Sequence, residues 1–561
     1  MRRPTPAIVS QAAVRALPRW AVALVCVLFL APGFLGRDPW RSHELEAFAV
    51  MLDMAWLGGS WWTPAVLEQA AQHWGLLPYW LGAASILALG WLDAAWAAKV
   101  PFMALAGLTL WATWQSAFLL AVQPHAQPVS FAFGGEARPK DYARALADGA
   151  LLLLVACLGL ALLSHETTVD SAKLALGALW LLSWIRWITK GHNTATLAMW
   201  TVGSLGLSLS GAPLLSAVWV LLGVLTHAWR TDRHQPLLWV VYGLPSVLTL
   251  LVLIQIGWVW PTVQWHHLWT LQSWRSLVEL MAWFTWPAGI LGLWAAWKWR
   301  AHAAEPHVFI PLIAVVAVLI ASLINGSSDR VLLLGLPALS VLAAMALPTL
   351  KRSVVAFVDW FSVLFFSFGA LFIWVMWVAM MTGVPSKPAA NVARLAPSFV
   401  AEFSWLLFLP ALAVTLAWLV MIVWRISRAQ MALWKPVVLS ASGAMLCWVL
   451  LMTLWLPLLN HGMGLSPVSQ RIAQLTDTNS CVVVHDLPDT YVAALLYHGQ
   501  VQVARPHQPA SRECQWMVIT PSSYEMSAPH IEWRDWAFVQ TIPRLRESRD
   551  GVLLLKRITD Q

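Results

Sequence analysis

The stretch "AVALVCVLFLAPGFLGRDPWRSHELEAF", residues 21–48, decides how the rest of the chain is read. Its first half is an apolar run that ends near residue 36. Its second half sets Arg37, Asp38, Arg41, His43, Glu44 and Glu46 directly behind that run. Such an abrupt change is what the boundary between hydrocarbon and water selects. Composition extends the reading to the whole chain. Of 561 residues, 59% are hydrophobic and 11% charged, where a soluble domain carries about 25% charged residues. Mean hydropathy is +0.66, and apolar runs of roughly 18 or more residues recur, as in a polytopic helical membrane protein. The 40 Trp against 6 Tyr suit an aromatic belt at the lipid boundary. The net charge of +8 does not point to nucleic acid. Lys and Arg fall in short clusters between apolar runs, where loop bias and anionic head groups account for them.

Thirteen apolar runs lie near 20–36, 99–122, 147–164, 171–189, 195–210, 212–227, 237–259, 278–298, 307–324, 331–349, 354–381, 403–424 and 436–458. A further run at 76–97 carries Pro78 and Asp93. Counting it as interfacial puts Arg138, Lys140 and Arg144, then Arg186 and Lys190, then Lys351 and Arg352, on the side of the N-terminus. The positive-inside rule therefore predicts about thirteen spans, a cytoplasmic N-terminus, 37–98 as one long external loop, and an external C-terminus. In 195–227, "LSLSGAP" is either a tight turn between two short helices or a kink in one. The first domain is thus 1–459. From 460 the composition changes. "CVVVHD", "MVITP" and "VLLLKR" predict strands and "DTYVAALLYHG" a helix, giving a small soluble α/β domain over 460–561. Cys26, Cys157 and Cys447 sit in apolar runs and behave as small hydrophobes. Cys481 and Cys514 can pair if their domain lies in an oxidising compartment.

Three constellations carry candidate chemistry. In the opening stretch, "DPWR" predicts a helix start with Asp38 as N-cap and Pro39 at N1. Leu45, Phe48, Met51 and Leu52 then follow near helical spacing, with the carboxylates turned to water. Glu44 or Asp38, partly shielded at the end of the first span, suits a general base; a solvated amphipathic helix accounts for the same residues. The second is "SHETTVDSAK", residues 164–173, with His165, Glu166 and Asp170; Asp170 also suits a helix cap. The third is Arg330, whose fork geometry suits a phosphate as well as it suits an interfacial anchor. His266 and His267 point apart on a helix and lack a third metal ligand. There is no Walker loop, Rossmann fingerprint, HExxH or GxSxG.

With these motifs in order, the chain resembles the GT-C glycosyltransferases, in the branch of the protein O-mannosyltransferases and the bacterial lipid A aminoarabinose transferases. "SHELEAF" matches the family's first acidic motif, and "GGSWWTP" with "LLPYWLGA" the pattern that follows it. "TTVDSAK" puts Asp170 at the second acidic motif. "LSLSGAP" keeps Gly211 and Pro213, and "DRVLLLGLPAL" keeps Arg330 and Pro337. The chain departs where His43 takes one acidic place, and where "LSLSGAP" lacks the family's Lys. The resemblance implies a multi-pass protein of the bacterial inner membrane that moves a sugar from a polyprenyl-phosphate donor to a periplasmic lipid A, glycan or protein. It implies Glu44, Asp170 and Asp38 as catalytic candidates. Arg330, Arg41, His43, Glu166 and His165 are the substrate-binding candidates. The donor sugar, and any need for a divalent metal, stay open. Two other readings use the same chain: a transporter or lipid flippase, and a non-catalytic envelope scaffold of the same fold.

Overall fold

The computed structural model describes residues 4–40, 42–73, 75–230, 236–255, 265–396, 399–427, 432–476, 480–527, 535–543 and 551–558. Two compact units divide the chain. The first holds Met1–Leu35, Phe102–Leu371 and Pro410–Leu450, and the second Gly36–Pro101, Phe372–Leu409 and Leu451–Gln561. A division into 1–459 and 460–561 therefore misses that the first loop groups with the C-terminal part.

Among the described residues, eight helices are long and apolar enough to cross a membrane. They are Ala94–Ala121, Pro213–Arg230, Pro236–Gln255, Pro306–Ile324, Asp329–Thr349, Arg352–Thr382, Trp405–Arg425 and Lys435–Leu454. A ninth follows if Leu271–Phe284 and Ala288–Lys298, bent by 104°, count as one broken span. Thirteen is too many by this measure, and the four remaining runs show why. Arg19–Phe34 and Thr194–Leu209 are 16 residues each, or about 24 Å of helix against a core of about 30 Å. The run at 147–164 breaks at Cys157 into Pro139–Ala156 and Leu158–Leu163. Val169–Lys190 is long enough but carries Asp170, Lys173, Arg186 and Lys190. The run at 76–97 forms a helix of only 12 residues, Leu77–Ala88.

Close helix packing shapes the first unit. "LSLSGAP" forms a tight turn rather than a kink: Gly211 takes φ +91° and its N–H donates to the Ser208 carbonyl at 3.1 Å. The helix before this turn lies against Val169–Lys190 at Gly203, where a Cβ would come within 2.9 Å of the Trp180 backbone. Not every Trp belongs to a belt. Trp180, Trp184, Trp187, Trp200 and Trp299 are fully buried. Trp187 stacks on Tyr242 at 3.9 Å and on His227 at 4.3 Å between ring centres.

The second unit is mixed. In the first loop, helix His43–Trp56 is followed by a short hairpin, Ala65–Val66 with Gln69–Ala70. The C-terminal part forms a five-stranded sheet in the order Gln502–Ala504, Cys481–His485, Trp516–Ile519, Val552–Arg557, Trp536–Ile542. The first three strands are parallel and the last two join antiparallel. The three strands and the helix read from sequence are present; the two edge strands were not foreseen. Cys481 and Cys514 form a disulfide beside a core of Val483, Ala504, Met517, Ile519 and Leu555. Helix Asp489–Ala494 packs on helix His43–Trp56, which ties sheet and loop together.

Candidate active site

The first unit gathers one cluster of charge. Thr168 is the N-cap of helix Val169–Lys190, so Asp170 falls in its first turn, three residues before Lys173. The Lys173 ammonium donates to Asp170 Oδ1 at 3.0 Å. Ser328 caps the short helix Asp329–Leu332, accepting from the Val331 N–H, and so sets the direction of Arg330. Arg330 Nη1 donates to Glu166 Oε2 at 2.8 Å and to Asp170 Oδ2 at 3.2 Å. Three of the residues singled out in sequence thus meet, and Lys173 joins them. Its signal was available: a Lys one turn after Asp170 lies on the same helical face.

This cluster stands at a cavity of about 770 Å³. Asp170, Lys173 and Arg330 form its polar end, and Gly211 and Pro213 of the tight turn border it. Apart from Asn325 the rest is largely apolar, with Leu215, Val218 and Leu222 from one helix and Ile313, Val316 and Ile320 from another. Two cations at one end of a greasy groove can hold a phosphate head group while the groove takes a hydrocarbon tail. His165 is not part of it. Its ring is fully buried among Phe29, Phe34 and Trp448, and Nε2 donates to the Phe29 carbonyl at 3.0 Å. It is a core residue here, so its place in a substrate site is not supported.

The second unit holds the other cluster, and it corrects the expected helix start. Asp38 is not an N-cap, and Pro39 does not open a helix. The helix begins at His43, behind Ser42 at φ 71°. The reason is Glu44, which turns inward rather than to water and is 2% exposed. Arg37 grips it bidentately at 2.8 and 2.6 Å, and the Trp40 N–H donates to it at 3.1 Å. The non-helical residues after Arg37 let the chain fold back for that pairing. Arg37 also lies over the Trp40 ring at 4.9 Å. Lys99, 2% exposed, donates to the Arg37 carbonyl; it was overlooked because it opens an apolar run.

The other loop candidates separate. Asp38 is half-buried; its N–H donates to Asn460 Oδ1 at 3.1 Å, and its carboxylate has no bond to any described residue. Glu46 lies 3.2 Å from His73, and the His73 ring is 4.1 Å from that of His43. Arg41 lies outside the described residues. His267 Nδ1 bonds Ser273 Oγ at 3.1 Å. Among the described residues, no three His, Cys, Asp or Glu side chains are placed to hold a metal together.

This architecture is that of a multi-span helical membrane protein with a small C-terminal sheet. It is similar to the crystal structure of ArnT from Cupriavidus metallidurans bound to undecaprenyl phosphate. That likeness has a TM-score of 0.59 and 15% identity, and covers 95% of this chain and 98% of that one. It is also similar to the apo state of the same ArnT, at a TM-score of 0.56 and 16% identity over 95% and 96% of the two chains. No protein-family model and no curated protein sequence matches the chain.

Proposed function

We propose that the protein is an integral membrane glycosyltransferase that takes a sugar from a polyprenyl-phosphate donor and passes it to an acceptor hydroxyl. The observation that carries this reading is the pair Lys173 and Arg330 at the polar end of the 770 Å³ apolar groove. The fold of an ArnT bound to undecaprenyl phosphate supports it. On this reading the groove takes the prenyl tail, and the two cations hold the phosphate and stabilise the charge that grows on it as it leaves. Asp170 and Glu166 keep both cations oriented before the donor arrives.

The reaction also needs a base. Glu44 is poorly suited, because Arg37 and the Trp40 N–H occupy its oxygens. Asp38 has free lone pairs and is the better candidate. The acceptor O–H gives its proton to a carboxylate base as the new glycosidic bond forms, and prenyl phosphate leaves with the electron pair of the broken C–O bond. The external side suits this chemistry. The first loop and the sheet belong to one compact unit, and the Cys481–Cys514 disulfide is the kind of bond an oxidising compartment keeps.

The test uses full-length protein in lipid nanodiscs with undecaprenyl phosphate as probe. Arg330→Ala and Lys173→Ala are each expected to weaken binding about tenfold or more, as the loss of a charge-assisted contact does. Binding that ignores both substitutions sinks the reading. A second reading, a non-catalytic scaffold of the same fold, is favoured by the burial of Glu44 against Arg37. It predicts that the wild-type chain binds undecaprenyl phosphate and transfers nothing from a labelled polyprenyl-phosphate sugar.

A further inference from the structure

The second unit has a cavity of its own, small and walled by aromatic rings. Trp377 comes from the last turns of helix Arg352–Thr382, and Leu454 from the end of helix Lys435–Leu454. Phe399, Glu402 and Ser404 lead into helix Trp405–Arg425, which adds Phe408. All six belong to one compact unit. Trp377 and Phe408 stand nearly parallel, with 5.7 Å between ring centres and 29° between planes. Phe403 packs on both rings, at 6.2 and 5.5 Å. The wall is anchored to the first loop. Phe399 packs on the His461 ring at 5.5 Å. Asn460, next to it, accepts from Trp40 Nε1 at 3.0 Å and donates to the Gly36 carbonyl at 2.9 Å.

Glu402 is out of keeping with these surroundings. It precedes a span by three residues, which puts it at head-group depth, and Phe403, Trp405 and Leu406 beside it are exposed apolar side chains. Its carboxylate meets no cation among the described residues. An unpaired carboxylate beside lipid is costly, and a cation supplied from outside offsets that cost. Glu402 is exposed while it lines the cavity, so its oxygens are within reach of the lipid boundary. The cavity holds about 10 Å³, room for one water-sized group. Aromatic faces attract a cation more strongly than a neutral water. A primary ammonium has that size; a trimethylammonium is too large.

We propose that this cavity binds the primary ammonium of a phosphatidylethanolamine molecule, with Glu402 as its counter-ion and Trp377 and Phe408 as its aromatic walls. The Glu402 carboxylate and the Ser404 hydroxyl accept from the ammonium, and its remaining N–H turns to the rings. The acyl chains follow exposed apolar side chains on the same two helices, Phe372 and Val375 on one, Leu406 and Leu409 on the other. That continuity selects a lipid over a water-borne amine. A metal cation would need more oxygen ligands than this cavity offers. An aromatic belt alone calls for neither a cavity nor a carboxylate. The site is independent of the glycosyl-transfer reading.

The test uses the full chain in nanodiscs holding equal amounts of phosphatidylethanolamine, phosphatidylcholine and phosphatidylglycerol with the same acyl chains. Native mass spectrometry counts the lipids that stay on the released protein. The wild type is expected to retain phosphatidylethanolamine over phosphatidylcholine about fivefold or more, as a charge-assisted contact and a cation–π contact together allow. Glu402→Gln should abolish that preference, Trp377→Leu should reduce it a few-fold, and Glu402→Asp, which keeps the charge, should retain most of it. Phosphatidylglycerol retention should stay within about twofold throughout. The site is overturned if the wild type retains both lipids equally, or if Glu402→Gln keeps the full preference. Loss of the preference in Glu402→Asp as well as in Glu402→Gln would remove the counter-ion role. The water-soluble head group glycerophosphoethanolamine, at equal concentration, should leave the bound lipid in place; displacement of the lipid would overturn the choice of a lipid as occupant.

Discussion

At the scale of single residues, the Arg37–Glu44 pair carries the clearest energetic consequence. Both side chains are almost fully buried and meet through two short bonds. Removing one partner strands a charge in a low-dielectric site, which costs about 3–5 kcal/mol; replacing both by apolar groups is often close to neutral. Thermal unfolding in nanodiscs should therefore show Arg37→Met and Glu44→Met each strongly destabilised and the double variant partly recovered. Additive losses would show that the two side chains do not act as a unit. The sequence made this region visible but not its pairing. Six ionisable residues within 37–46 announce a special segment, yet spacing alone cannot tell a carboxylate waiting for a proton from one held by an Arg seven residues earlier. The proline after Asp38 imitated a helix start and hid the fold-back. Asp170, Glu166 and Arg330 were legible because each sits at a helix mouth, where side chains from different elements converge.

At the scale of elements, two glycines in neighbouring helices predict opposite effects of the same substitution. At Gly203 a Cβ would press within 2.9 Å of the Trp180 backbone, while at Gly243 it would meet nothing within 4 Å. Gly203→Ala should lose about 1–3 kcal/mol through overpacking. Gly243→Ala should be neutral or gain up to about 1 kcal/mol of helix propensity. Melting temperatures of the two purified variants decide it; equal shifts would mean that the close approach at Trp180 is not a constraint. The same region shows what hydropathy can and cannot read. It finds the apolar runs but not their helical length, so a 16-residue helix such as Thr194–Leu209 looks like a full span. It left "LSLSGAP" undecided because a turn and a kink use the same small residues; the positive φ of Gly211 lies in the backbone, not in the hydropathy profile.

At the scale of the whole molecule, the sheet is tied by a bond that the membrane helices do not use. The Cys481–Cys514 disulfide closes a separation of 33 residues, a length for which loop entropy gives about 3–4 kcal/mol. Cys481→Ser with Cys514→Ser should raise hydrogen exchange in strands Cys481–His485 and Trp516–Ile519 and leave helix Pro306–Ile324 unchanged. Unaltered protection of the strands would show that the sheet stands without it. Strand–helix alternation after residue 460 was readable because its central strands are apolar. The edge strands escaped notice: Gln502–Ala504 has three residues, and Trp536–Ile542 is largely open to solvent.

Asn460 adds a constraint on biogenesis. The loop segment it fastens emerges from the ribosome first, and the fastener follows 422 residues later. At about 5–20 residues per second, the Gly36–Trp40 segment waits on the order of 20–80 s for that partner. A nascent or truncated chain ending before residue 460 therefore inserts its early helices with this loop still unfastened.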